Sequence, residues 1–175
     1  MKQCILSAAL FFCLFFSACT PIPAEKYFGV AVLSSNFLVG FANSGQLREL
    51  ESPTVKMSEK NGQPEAMQRK EVIGSKIEYV EKNLQNLKEL KETADTKDIL
   101  QASLALHEYV LPIYKNEYGE LAKLYDEGAS KERIQQQAQL IEEKYFAHYD
   151  QLFNRLIAVG KLYAEKHAIK VNWGT

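Results

Sequence analysis

The side chains of this sequence that carry nucleophilic, ligating or proton-transferring chemistry are three cysteines, three histidines and nine tyrosines. His107, His148 and His167 all fall in stretches of helical periodicity. A di-iron bundle needs Glu-x-x-His on two helices, projecting inward. No histidine here meets that spacing: Leu104 stands three before His107, Tyr145 before His148 and Ala164 before His167. The sequence has no Cys-x-x-Cys-His for covalent haem, no His-Glu-x-x-His, no phosphate-binding glycine loop and no Gly-x-Ser-x-Gly. The expectation is a protein that is not an enzyme and calls for no cofactor or metal.

His148 draws the most notice, because it falls in the apolar stripe of the last long segment, one turn from Tyr145 and Leu152. As a functional group it would be an axial ligand or a pH-sensitive core residue. As a packing group it is an interior histidine bonded to a tyrosine hydroxyl or a carboxylate on a facing helix. The second reading is favoured, since a ligand set needs partners and none stands near it in the pattern. His107, beside Glu108, reads as a helix-surface pair. His167 sits near a helix C-terminus, where a cation suits the dipole. The tyrosines of the second half supply rigid, amphipathic area and read as packing between helices. A ligand or partner groove, if the fold builds one, belongs where Pro112 bends its helix. Its lining would be Tyr109, Tyr114, His148 and Tyr149.

Four helices must position these groups. The first is expected over 25–43, apolar on several faces, with Gly45 as its stop. A polar stretch over 44–64, holding Pro53, Gly62 and Pro64, reads as a long loop or a crossover along the bundle. The second helix is expected over 65–92, where Ile73, Ile77, Val80, Leu84 and Leu87 alternate spacings of four and three. The third runs over 97–126 and should kink near Pro112, which removes one backbone bond and crowds the preceding turn. The fourth runs over 131–167, capped by Ser130, with a stripe through Ile134, Ile141, His148, Leu156 and Tyr163. No alternating strand pattern of useful length is present. Short connections force the last three helices antiparallel, and each stripe needs cover. The expected fold is all-α: an elongated antiparallel four-helix bundle over 25–175.

All three cysteines, Cys4, Cys13 and Cys19, lie in the first nineteen residues. That stretch opens with Lys2 and continues as an apolar run from Ile5 to Ala18, the anatomy of an export signal. At ~1.5 Å per residue such a run spans roughly 21 Å, short of a bilayer core of about 30 Å. The residues Phe16-Ser17-Ala18-Cys19 at its end resemble the lipobox of bacterial lipoproteins, with Phe16 where that family usually has Leu. The resemblance implies a signal peptide over 1–18 and alkylation of the Cys19 thiol by a diacylglyceryl group. It further implies cleavage before Cys19 and acylation of the new amine. Ordinary secretory cleavage would place bulky Phe16 or an unexplained cysteine at the cut, and an uncleaved anchor has the wrong length. Residues 19–24, with Pro21 and Pro23, then form a lipidated tether. Thr20 after the cysteine, rather than Asp, points by the same resemblance to the outer membrane.

With Lys+Arg at 21 and Asp+Glu at 22, the chain lacks the basic surplus that a nucleic-acid partner requires. The 46% apolar content supports a packed core. Cleavage before Cys19 would leave no thiol, and with it no disulfide, thiolate metal site or cysteine nucleophile. The functional expectation is a lipid-anchored envelope protein with a binding or scaffolding role, held to membrane lipid through acylated Cys19 and engaging an envelope protein. The alternatives are a small-ligand or metal carrier with a bundle-core site, and a periplasmic inhibitor or immunity lipoprotein.

Overall fold

The computed structural model describes residues 22–173. Cys19 and the signal anatomy lie outside the described residues. The described chain is mostly helical. Helix α1 (Ala24–Ala31) leads into a 3-10 segment (Leu33–Leu38), then α2 (Ser44–Glu51). A two-stranded antiparallel hairpin follows, β1 (Val55–Met57) and β2 (Pro64–Ala66), paired Val55 to Ala66 and Met57 to Pro64. Then come α3 (Arg69–Glu89), α4 (Lys97–Ile113), a π-helical turn (Tyr114–Tyr118), α5 (Gly119–Asp126) and α6 (Lys131–Lys166).

Side-chain contacts at the helix ends set the directions. The Asp126 carboxylate, at the end of α5, accepts from the backbone N–H groups of Arg69 and Lys70 at 2.7 and 3.0 Å, so the end of α5 meets the start of α3. A carboxylate there satisfies two of the donors a helix start leaves free. Lys166 and His167, ending α6, bond to Asp95 just before α4. The α4–α5 arm therefore runs antiparallel to α3 and to α6. At 36 residues α6 is about 54 Å long.

The fourth side is where expectation and structure part. No unbroken helix covers 25–43. The helical ladder stops at Ala31, and the Ser34 and Ser35 hydroxyls turn back to the carbonyls of Val30 and Val32 at 2.7 Å. Such hydroxyls compete with the backbone for its acceptors. Gly40 (φ +90°) and Ala42 (φ +51°) then turn the chain, and Asn43 caps α2 by accepting from the Gly45 N–H at 2.7 Å. Gly45 is thus not a stop but part of the first turn of α2. A Cβ there would come within 3.0 Å of the Gly40 Cα, so the two glycines allow a close backbone approach. The expected loop over 44–64 contains α2 and the hairpin strand β1.

The other helices differ in detail. The second starts at Arg69, not near 65, where Asp126 and the Glu71 carboxylate, accepting from the Gln68 N–H at 2.8 Å, take up free donors. The irregularity expected at Pro112 takes the form of the π turn just beyond it, in which the Gly119 N–H reaches back five residues to the Tyr114 carbonyl. The core runs the length of the arms, through Ile73, Val80 and Leu87 of α3, Leu106 and Val110 of α4, and Ile141 and Leu156 of α6. Tyr27, Phe28 and Ala31 of α1 are buried against it. At Gly160 of α6 the packing is tight, with an added Cβ 3.0 Å from a methyl of Val32.

Candidate functional site

The groove expected around Pro112 is occupied by the chain itself. Tyr114 is fully buried and its hydroxyl donates to the Gln46 Oε1 at 3.1 Å. Tyr149 is buried and donates to the Leu38 carbonyl at 2.7 Å. The Ala42 N–H donates to the Tyr118 hydroxyl at 2.9 Å. Three tyrosines thus hold the segment 38–46 that links the 3-10 turns to α2. Phe41 fills the space between them, its ring centroid 5.1, 5.6 and 5.0 Å from those of Tyr114, Tyr118 and Tyr149. Burial raises the pKa of all three hydroxyls, so they stay protonated donors or neutral acceptors.

Tyr109 and His148 stand apart from that cluster. The Tyr109 hydroxyl donates to the Tyr145 carbonyl at 3.2 Å, and its ring meets His148 edge-on at 4.7 Å. His148 is solvent-exposed, not an interior histidine. The buried face of α6 turns from Ile134 and Ile141 to Tyr149 and Leu156. Between Ile141 and Tyr149 the buried face takes an eight-residue step, about 80° further round the helix at roughly 100° per residue, while a seven-residue step drifts about 20° the other way, so His148 is left outside it. His107 reverses its expected place as well: it is fully buried on the inner face of α4, while Glu108 beside it is exposed.

The opening with convergent chemistry lies at the end of the bundle where the described chain begins. It is a cleft of about 450 Å³ between the start of α1, the α3–α4 connection and the end of α6. Ile22, Ala24, Tyr27 and Tyr163 form its apolar wall, and Lys91, Thr96, Asp95 and His167 its polar one. The Tyr27 and Tyr163 ring centroids are 6.2 Å apart, and the Tyr163 ring lies 4.2 Å from His167. The His167 Nε2–H donates to Asp95 Oδ2 at 2.8 Å, and Lys166 bonds the other carboxylate oxygen. The Lys166 hydrogen bond, then the His167 one, hold the Asp95 carboxyl below the usual carboxylate range. A larger but more open depression, about 510 Å³, lies beside Glu117, Lys144 and Tyr145 on the flank of α6.

An Asp–His pair is two-thirds of a nucleophile-activating triad. The hydroxyls of the cleft are engaged elsewhere. Thr93 Oγ1 and Thr96 Oγ1 bond each other at 3.0 Å, and Thr96 Oγ1 also donates to the Lys91 carbonyl at 3.3 Å. The Tyr27 hydroxyl donates to that same carbonyl at 3.3 Å. In the sequence, Ala94-Asp95-Thr96 offers only a turn and an N-cap, and His167 reads only against its own helix dipole. The signal that joins them is antiparallel register, which brings the start of α4 to the end of α6. Among the described residues, no group of three or more His, Cys, Asp or Glu side chains is placed to hold a metal ion. No family model, curated protein or solved structure matches the chain.

Proposed function

We propose that the chain is a lipid-anchored protein of the bacterial envelope, tethered to the outer membrane through an acylated Cys19, with a binding or scaffolding role and no catalysis. The observation that carries this reading is the run Phe16-Ser17-Ala18-Cys19 at the end of a short apolar stretch, followed by the proline-bearing tether. The tether leads directly to the cleft end of the bundle, since Ile22 lies on the cleft wall. Among the described residues no helix is long and apolar enough to cross a membrane. We read the domain as a variant of the elongated four-helix bundle whose fourth side, residues 24–51, is segmented instead of continuous.

The test is the mass of the mature N-terminus together with membrane fractionation. The expected result is a membrane-bound protein beginning at Cys19 with acyl mass on that residue, and a Cys19→Ala chain without that mass. A wild-type protein beginning elsewhere, unacylated and free in the soluble extract, would overturn the proposal. Chemical crosslinking in intact envelopes, with the Cys19→Ala chain as control, identifies the partner of the binding role.

A further inference from the structure

We infer that the cleft beside Tyr27 and Tyr163 seats one of the acyl chains carried by Cys19, an inference that rests on the lipid-anchor reading above. The chemistry of the cleft selects the occupant. Much of its polar wall is already satisfied within the protein. Asp95 is bonded by Lys166 and His167, the two threonine hydroxyls by each other, and the Tyr27 hydroxyl by the Lys91 carbonyl. A sugar or an amine that paired with these groups would have to break those bonds to gain its own. Beyond those groups the open lining is mostly apolar: Ile22, which is 40% exposed, and Ala24, backed by the buried rings of Tyr27 and Tyr163, with the exposed Glu89 and Lys91 also in the lining. That apolar surface gains from contact with hydrocarbon.

The position of the chain names the source of the hydrocarbon. The described chain starts on the cleft wall at Ile22, and Cys19 is three residues earlier. Three residues reach at most about 10 Å, so any chain attached to Cys19 is delivered to the mouth of the cleft. Tethering raises its local concentration far above that of any free lipid. Lasting attachment to a bilayer takes more than one acyl chain, and a triacylated Cys19 keeps two for the membrane when one is seated. The seated chain would hold the bundle end close against the bilayer rather than swinging on the tether.

The experiment places a photoreactive benzoylphenylalanine at Lys91, across the cleft and far from Cys19 in sequence, in the full chain expressed in its own envelope. The control carries the same group at Lys26, which is exposed at the same end, outside the cleft lining, and nearer to Cys19 in sequence. The expected product after irradiation is an adduct between the Lys91-site peptide and the acyl portion of the N-terminal lipopeptide, absent or weaker from the Lys26 site. Ala24→Trp, which fills the cleft, should abolish the adduct without altering the acyl mass. An acylated N-terminus with no adduct from the Lys91 site, or adducts only with bulk phospholipid, overturns the seat and leaves the anchor intact. An N-terminus without acyl mass overturns both, and the mass measurement separates the two failures.

Discussion

His107 Nδ1 lies 2.8 Å from the carbonyl oxygen of Ser103, one turn back on the same helix. A carbonyl only accepts, so Nδ1 carries the proton and Nε2 is left as a bare acceptor. That nitrogen is buried with no hydrogen-bond partner. Burial lowers the His107 pKa, and the bond to Ser103 only partly opposes the effect. The folded protein thus keeps this ring neutral at pH values where the unfolded chain, with a pKa near ~6.5, binds a proton. Stability tied to His107 is present above that value and is lost as pH falls below it. Thermal melts between pH 7 and pH 5 should show a steeper acid loss for the wild type than for His107→Leu. Parallel slopes would remove His107 from the acid response.

The tyrosine hydroxyls that hold residues 38–46 carry a second prediction. Tyr118→Phe leaves the buried Ala42 N–H without its acceptor and should cost about 1–3 kcal/mol of unfolding free energy. Tyr149→Phe removes one of two donors to the buried Leu38 carbonyl, which keeps the Phe41 N–H at 3.0 Å, and should cost about 1–1.5 kcal/mol. Tyr109→Phe removes a bond from a half-buried site and should cost less, about 1 kcal/mol or below. Urea titrations of the three variants give the order. Equal losses at the three positions would show that the segment is not held by these bonds.

Helices are the part of this fold most legible in the chain. The last helix begins and ends within a residue of where Ser130 and the apolar stripe put it, because its cap and pattern are local. The fourth side was not legible in the same way. Tyr27, Val30, Phe37 and Phe41 keep helical spacing, yet Ser34, Ser35 and the positive φ of Gly40 and Ala42 break the ladder. Those signals are backbone choices that tertiary packing settles. The tyrosine cluster was visible as residue type, but its occupant was not. Phe41 reaches Tyr149 across 108 positions of sequence, a contact that periodicity does not encode.

Gly160 tests the contact between α6 and the break after α1. Gly160→Ala brings a methyl against both Val32 methyl carbons, at 3.0 and 3.3 Å. Crowding of this kind should cost about 1–3 kcal/mol, despite the gain in helix propensity. Val32→Ala in the same chain should recover part of the loss, so that the double-mutant cycle shows coupling. Additive losses would place the crowding elsewhere.

Lys76 is buried, with its ammonium 2.8 Å from Glu49 Oε2 and 4.4 Å above the centre of the Phe37 ring. Glu49 also accepts from the Gln46 side chain at 3.2 Å, which joins this pair to Tyr114. Glu49→Gln strips the ammonium of its charge partner and should destabilise by about 1–2 kcal/mol, moderated because Glu49 itself is half exposed. Lys76→Met keeps the apolar stem and should be near neutral or stabilising. Chemical denaturation of the two variants checks the asymmetry, and a larger loss from Lys76→Met than from Glu49→Gln would refute it.

Trp173 packs edge-on against Phe28 at 5.8 Å, so the last described residues fold back beside α1. The first and last described residues accordingly share one pole. Under the anchoring proposed above, the segment around Trp173 would lie close to the lipid headgroups. The β1–β2 hairpin, braced to the start of α3 by the Lys56–Glu71 pair, would project farthest from the bilayer, about one full length of α6 away. Reagents too large to approach the membrane would meet that hairpin first.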